Sequence, residues 1–332
     1  MLKKTIKHTL AALATVAALS PFTSVQAETY TMTVAGASPG GLWSLLGAGI
    51  DASVRKAYPG STITYQTSGG GIANVGLLER DQADMALIHD AELLLAQNGS
   101  APFREPVDSI RVLAYMYTWA PMQALIRSSF AEEHGIKTFE DIARVKPPIT
   151  VAINRRGNIA SNVAEEMFKA IGATEKDIEN WGGQLIYAAS DEQMSLVQDR
   201  RADLILNSLF VRHSSIMQAG NSVDLTLLPL NQDTIAAVNA ASGTISFSIP
   251  ADTYSWSPAA IDTVSLGATL AVRSDMDEQT AYGLTKALFE NYETLAGVHP
   301  AMQALTPKVM ASVETVPYHD GAMRYLKEAG LQ

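Results

Sequence analysis

Apolar and polar residues alternate from Thr29 to Val34, with Tyr30, Met32 and Val34 on one side of the chain and threonines on the other, the period of a half-buried strand. The loop Gly36-Ala37-Ser38-Pro39-Gly40-Gly41 follows. Leu42, Leu45, Leu46, Gly49, Ile50 and Val54 then recur at helical spacing until Pro59-Gly60 ends the helix. A second strand around Ile63 and Tyr65 runs into Thr67-Ser68-Gly69-Gly70-Gly71, a helix opens near Ile72, and Met85 to Ile88 read as a third strand. Strand, glycine loop and helix in repetition predict a largely parallel α/β sheet with its loops gathered at the carboxyl ends of the strands.

The second half uses the same order. Ile149 to Ile153 read as a strand, Asn154 to Asn158 as a loop, and Val163, Met167, Phe168 and Ile171 as the apolar face of a helix ending near Gly172. A closer echo joins Val75, Leu77, Leu78 and Ala83-Asp84-Met85-Ala86-Leu87-Ile88 to Met194, Leu196, Val197 and Ala202-Asp203-Leu204-Ile205-Leu206-Asn207 at one constant offset. Helix-turn-strand units share such patterning by chance, or the chain holds two similar α/β lobes. Two lobes with facing loop edges would enclose a cleft, the place where open sheets bind ligands.

Composition narrows the function. The chain has 332 residues, 47% of them hydrophobic, enough for a large packed core and too many for a disordered chain. A formal charge of -10, with no run of basic residues, excludes a nucleic-acid surface. The absence of cysteine removes disulfides, thiolate metal sites and cysteine nucleophiles. Residues 1–27 read as a signal peptide: Lys3, Lys4 and Lys7 lead an apolar stretch from Leu10 to Leu19, and Val25-Gln26-Ala27 suits cleavage after Ala27. The expectation is an acidic, exported, periplasmic protein.

Gly36-Ala37-Ser38-Pro39-Gly40 matches the G-x-S-x-G elbow of serine hydrolases, which makes a secreted hydrolase using Ser38 the alternative reading. Its chemistry fails at Pro39, which has no backbone N–H to offer an oxyanion. The histidines, His89, His134, His213, His299 and His319 among them, form no H-E-x-x-H pattern or i, i+4 pair, and there is no dinucleotide or P-loop fingerprint. No catalytic residue, metal or cofactor is expected. The glycine loops suit binding instead, because small residues let a ligand approach the backbone and a helix starting just beyond presents free N–H groups to a carboxylate.

Several segments together resemble the TAXI family, the extracytoplasmic solute receptors of tripartite TRAP transporters. They are Thr67 to Gly71 with Asn74, Pro250-Ala251-Asp252-Thr253-Tyr254, Val264 to Arg273, Tyr282 to Phe289, and Pro317-Tyr318-His319-Asp320-Gly321-Ala322-Met323-Arg324-Tyr325 with Glu328 to Leu331. The resemblance implies a two-lobed periplasmic-binding-protein fold of α/β lobes, a monomeric receptor closing by hinge motion on a small solute, and TRAP membrane subunits as partners. Lobe I would be residues 28–125 plus 261–332 and lobe II residues 126–260, with crossings near Leu125 and over Thr253 to Asp262. Ligand-binding candidates are Ser38, Gly40, Gly41 and Trp43; Thr67, Ser68, Gly69, Gly70, Gly71 and Asn74; Asn207, Ser208 and Phe210; and Tyr117, Trp119 and Gln123 near a crossing. The third loop adds Asn154, Arg155, Arg156, Gly157, Asn158, Ile159 and Ala160. It departs from the G-S-G-T common in the family, since Gly157-Asn158-Ile159-Ala160 follows two arginines. Guanidinium groups favour a small organic anion, a dicarboxylate, oxo-acid or glutamate-like solute, with either Arg155 or Arg156 turned inward. His319, Asp320 and Arg324 are assigned to structure or permease docking.

Overall fold

The computed structural model describes residues 28–37 and 42–332; the expected leader over 1–27 and Ser38, Pro39, Gly40 and Gly41 of the first loop lie outside them. β1 (Thr31–Ala35), α1 (Leu42–Ala57), β2 (Thr62–Gln66), α2 (Gly71–Glu79), β3 (Met85–His89) and α3 (Asp90–Gln97) follow the order that the hydrophobic periods predict. α1 buries Trp43, Leu46, Gly47, Gly49, Ile50, Ser53 and Val54 in one stripe. Leu45, expected on that stripe, is turned outward and 38% exposed. Gly47 and Gly36 make room for the Tyr65 ring, which a Cβ on either would strike. The Tyr65 hydroxyl thereby reaches the loop after β1, accepting from Ala37 N at 2.7 Å.

The chain then runs the length of β4 (Ile110–Arg127) and continues through α4 (Ser128–His134), α5 (Asp141–Val145), β5 (Thr150–Ile153), α6 (Ile159–Ala170) and α7 (Glu175–Asn180). β6 (Gln184–Tyr187), α8 (Ser190–Gln198), β7 (Leu204–Ser208), α9 (Ser214–Gly220), β8 (Leu225–Leu227), α10 (Gln232–Ser242), β9 (Ile245–Ile249) and β10 (Ile261–Arg273) come next. The chain closes with α11 (Glu278–Glu290), α12 (Tyr292–Ala296), the short 3-10 turn Pro300–Met302, α13 (Pro307–Met310) and α14 (Asp320–Glu328). Among the described residues no helix is long and apolar enough to cross a membrane.

The ten strands form one sheet in the order β2-β1-β3-β10-β4-β7-β5-β6, with β8 on β4 and β9 on β10. β1 lies parallel to β2 and β3, and β5 parallel to β6 and β7; the long strands β4 and β10 are antiparallel to each other and to their neighbours. The result is an α/β fold whose two parallel half-sheets are joined by one antiparallel pair. β4 changes partner along its length: up to Pro121 it pairs with β10, and from Met122 to Ile126 it pairs with β7. Almost every residue of β4 is buried because helices cover it on both faces, which is why its sequence carries no period-two signal.

The echo in the sequence is a structural repeat. α2 and α8 are nine residues each, β3 and β7 five each, and all begin at the same offset. Asp81 and Arg200 in the intervening turns both adopt left-handed backbone, with φ of 55° and 59°. Asp84 Oδ2 accepts from Thr33 N at 2.7 Å, and Asp203 Oδ2 accepts from Thr150 N at 2.8 Å, so each aspartate ties its turn to the central strand of its half-sheet. The fourth residue of each helix is a fully buried amide turned onto nearby backbone: Asn74 donates to Gly36 O at 2.8 Å and Leu87 O at 2.7 Å, and Gln193 to Ala188 O at 2.8 Å.

The C-terminal motif is built into this frame. His319 N donates to Val112 O of β4 at 3.0 Å, the His319 Nδ1 caps α14 by accepting from Gly321 N, and Arg324 pairs with Glu278 and stacks over the Tyr282 ring.

The two repeat aspartates differ in burial, and their removal should differ in cost. Asp203 is 9% exposed and pairs with the part-buried Arg127, whereas Asp84 is exposed. Asp203→Ala leaves a part-buried guanidinium unpaired and should lower unfolding free energy by about 2–3 kcal/mol, against about 1 kcal/mol for Asp84→Ala, read as midpoint shifts in urea unfolding.

Candidate functional site

In the first half-sheet the ends of β1, β2 and β3 are tied together by polar side chains. Ser68 Oγ donates to Gly36 O at 2.6 Å, lies 2.5 Å from Asn74 Oδ1 and accepts from Gly70 N at 3.0 Å. Asn74 has no exposed surface, so its amide holds the loops in place rather than facing solvent. Gly70, with φ of 103°, begins α2 without any side-chain cap and with no acidic residue in the first turn. Thr67 and Gly69 stay exposed at the mouth of a groove of about 340 Å³ that runs along the outward side of α2, past Gly76 to Arg80.

A second group lies where β3 meets β4. The Glu92 carboxylate accepts from His89 N and lies 3.0 Å from His89 Nδ1, forming a capping box at the start of α3. Gly71 permits this, because a Cβ there would collide with the Glu92 carboxylate. Trp43 lies tilted against His89, with ring centres 4.8 Å apart, and donates its indole N–H to the Tyr117 hydroxyl at 3.1 Å, which stands 3.4 Å from His89 Nε2. Burial works to lower the imidazole's proton affinity, but the Glu92 charge and hydrogen bond outweigh it, with Asp90 adding to them, and hold it above the ordinary histidine value. Phe210, from the loop after β7, meets Tyr117 edge-on at 5.2 Å, so this cluster spans the seam between the half-sheets.

In the second half-sheet Asn154 donates to Asn207 Oδ1 at 3.1 Å and Asn207 donates to Ser190 Oγ at 2.9 Å, joining the ends of β5 and β7 to the start of α8. Asn158 caps α6 by accepting from Ala160 N at 2.9 Å, which occupies one donor of the Ile159–Ala160 turn. Gly157 supplies a φ of 83° just before it. Arg156 lies 3.6 Å over the Tyr187 ring and pairs with Glu175, while the Arg155 side chain is exposed. Gln123 donates to Leu209 O at 2.7 Å and accepts from the Tyr254 hydroxyl at 2.7 Å, and Arg212 N donates to the same hydroxyl, so Phe210 is held from both sides.

Of the candidates read from sequence, the fold thus brings Trp43, Tyr117 and Phe210 together at the seam. The indole N–H of Trp119 is engaged by Ala301 O at 2.6 Å. Ser38, Gly40 and Gly41 lie outside the described residues. His89 and Glu92 were missed, although a histidine closing a strand with glutamate three residues on carries the spacing of a helix-capping box. Tyr254 stood in one of the segments that carry the resemblance without a role given to it, and Ser190 carried no signal, since its partner Asn207 comes from another element.

Behind this cluster Asp90 is fully buried, accepting from Gly267 N at 2.9 Å, Ala91 N at 2.9 Å and the Tyr115 hydroxyl at 3.4 Å. Burial pushes its carboxyl up to about 7 against the pull of His89 and these donors. The folded chain therefore binds this proton more tightly than the unfolded one. The associated stability is complete below about pH 4 and is lost as pH rises through about 7. Asp90→Asn should flatten the dependence of unfolding free energy between about pH 5 and about pH 8 by roughly 2–4 kcal/mol, measured by denaturant titration at each pH.

No curated protein matches the sequence. Among solved structures, a TctC solute binding protein from Polaromonas superposes with a TM-score of 0.52 at 11% identity, covering 93% of this chain and 98% of its own. MatC from Rhodopseudomonas palustris with bound malate gives 0.51 at 13% identity, covering 91% and 96%. The periplasmic binding protein BugD gives 0.50 at 12% identity, covering 92% and 98%. Likeness at this identity establishes the fold, the α/β arrangement of periplasmic binding proteins. The profile of the NMT1-like family matches residues 34–330, and this chain belongs to the NMT1-like family.

Proposed function

We propose that this protein is an extracytoplasmic solute receptor that captures a small organic anion between two lobes and delivers it to a membrane permease. The observation that carries the reading is the seam: Tyr117, against His89 at the end of β3 and Trp43 of α1, meets Phe210 from the loop after β7, and the half-sheets are joined through β4 and β10. The lobes are residues 28–125 with 261–332, and 126–260. The flexing point on β4 is at Pro121–Met122, where its partner changes. The family and the fold of its structural neighbours support binding and delivery rather than turnover. The TAXI-like motifs make the permease a TRAP system, and the leader read over residues 1–27 places the protein in the periplasm.

The solute class rests on the site. The start of α2 has no side-chain cap, which suits one carboxylate, and MatC was solved with malate. Arg155 serves a second charge better than Arg156, whose guanidinium is already engaged by Glu175 and Tyr187. The loop candidates Thr67 and Gly69 to Gly71 and the aromatic Phe210 complete the lining, with Asn74, Ser68 and Asn207 acting behind it as positioning residues.

A thermal-shift panel of succinate, L-malate, 2-oxoglutarate, L-glutamate, acetate and neutral sugars tests the reading. Succinate or a related dianion should stabilise the protein most and be recovered unchanged, and Arg155→Ala should weaken that binding about ten- to a hundred-fold. A neutral sugar as the best ligand, or ester turnover abolished by Ser38→Ala, would overturn it. Scattering should show a smaller radius of gyration with the bound dianion at unchanged helix content.

A further inference from the structure

The His89–Glu92 pair is a titratable cluster at the seam that the reading above does not use, and it is built for more than capping. Glu92 fixes His89 Nδ1 as a donor at 3.0 Å, which leaves Nε2 as the atom whose state changes on protonation. The Nε2 contact to Tyr117 is long, at 3.4 Å, and the Tyr117 oxygen already accepts from Trp43. The His89 side chain is 20% exposed and that of Glu92 only 7%, so a solute can touch the imidazole and cannot reach the carboxylate. Glu92 also lies against Gly71 at the start of α2, so an anion seated there needs protonated His89 to offset that carboxylate.

Every neighbouring element contributes to that balance. α3 carries Asp90 and Glu92; β4 carries Tyr117, with Tyr115 behind Asp90; α1 contributes the uncharged Trp43, α2 only backbone, and the second half-sheet Phe210 against Tyr117. Among these groups His89 is the only one able to become a cation.

Resting on the receptor reading, we propose that His89 is the contact that reads the solute's charge: its imidazolium, oriented by Glu92, donates Nε2–H to a carboxylate of the bound organic acid, and capture by the neutral form takes up one proton from solvent. Neutral His89 presents a lone pair at Nε2 and opposes an anion; protonated, it attracts one. A bound anion in turn raises the proton affinity of the imidazole by direct Coulomb attraction. Affinity for the anion is therefore greatest at low pH, falls by about tenfold per pH unit once the pH passes the value at which the free imidazole releases its proton, and levels off where the bound form releases it too. Glu92 acts through His89 and is a positioning residue.

Calorimetry on the chain from Glu28 onward, with succinate, L-malate and 2-oxoglutarate as probes, decides this. Titrations run from about pH 5.5 to about pH 8.5, each in two buffers of different ionisation enthalpy. Wild type should take up close to one proton per probe bound on the alkaline side of this range. His89→Gln should abolish the uptake and flatten the pH profile, Glu92→Gln should move the profile to lower pH, and Asp90→Asn should retain the uptake. Probe binding by wild type that is independent of pH and of buffer, or uptake surviving in His89→Gln, overturns the role of His89 and leaves the receptor reading standing. Failure of all three probes to bind wild type at any pH, with a neutral sugar binding instead, overturns both.

Discussion

Both half-sheets hang from one antiparallel pair, β4 and β10, and the ladder between these strands is the constraint on which the remaining structure depends. Each long strand is buried on both faces, so neither can shift register without exposing apolar residues such as Val112, Ala114, Leu270 and Val272. The ladder is irregular around Gly267, where the pairing slips between Leu266 and Ala268. Only glycine fits there, because a Cβ would come within 2.7 Å of both the Asp90 carboxylate and the Tyr115 ring. The buried Asp90 accepts the Gly267 N–H and stands directly beside His89. The backbone that joins the halves and the titratable cluster at the seam are in this way hydrogen-bonded neighbours.

On that pair the fold mounts the same helix-turn-strand unit twice. The repeat explains why the loop ends converge: Asp84 and Asp203 fix the turns, Asn74 and Gln193 fix the loops, and each unit delivers the end of a strand to the seam. The units differ where they present chemistry. β3 ends in His89, with a carboxylate behind it, whereas β7 ends in Ser208 and leads to the apolar Phe210. One side of the seam carries a titratable pair among aromatic rings, and the other an apolar ring alone.

Most polar side chains that a glycine-loop argument singles out are engaged in holding the loops. Ser68 and Asn74 serve the β1, β2 and β3 ends, Asn158 serves the α6 cap, and Asn154 and Asn207 serve each other. This is the expected economy of a preorganised pocket: buried donors and acceptors must be satisfied before a ligand arrives, or they would destabilise the empty protein. On the receptor reading proposed above, what remains for a solute is backbone at the loop mouths, the exposed Arg155, the edge of His89 and the aromatic rings.

The alternation of apolar periods by itself determined the α/β class, the extents of α1, α2, β3 and α6 to within a few residues, and the internal echo, since each rests on local spacing. Composition likewise set aside cysteine chemistry and nucleic-acid binding. The resemblance set the crossings between halves near Leu125 and over Thr253 to Asp262, but the pairing of the long strands β4 and β10 was not legible, because a strand buried on both faces loses its period and its partners lie far away in sequence. Trp43 and Phe210 drew attention by following a loop and a strand, and Tyr117 by its place near a crossing, but their meeting was decided by sheet order. The fates of Arg155 and Arg156 could not be separated in sequence, since what distinguishes them is the presence of Glu175 and Tyr187 beside only one. His89 read as an ordinary histidine until the tertiary structure set Glu92, Trp43 and Tyr117 around it, because the proton affinity of a side chain is fixed by burial and by charges that only folding brings near.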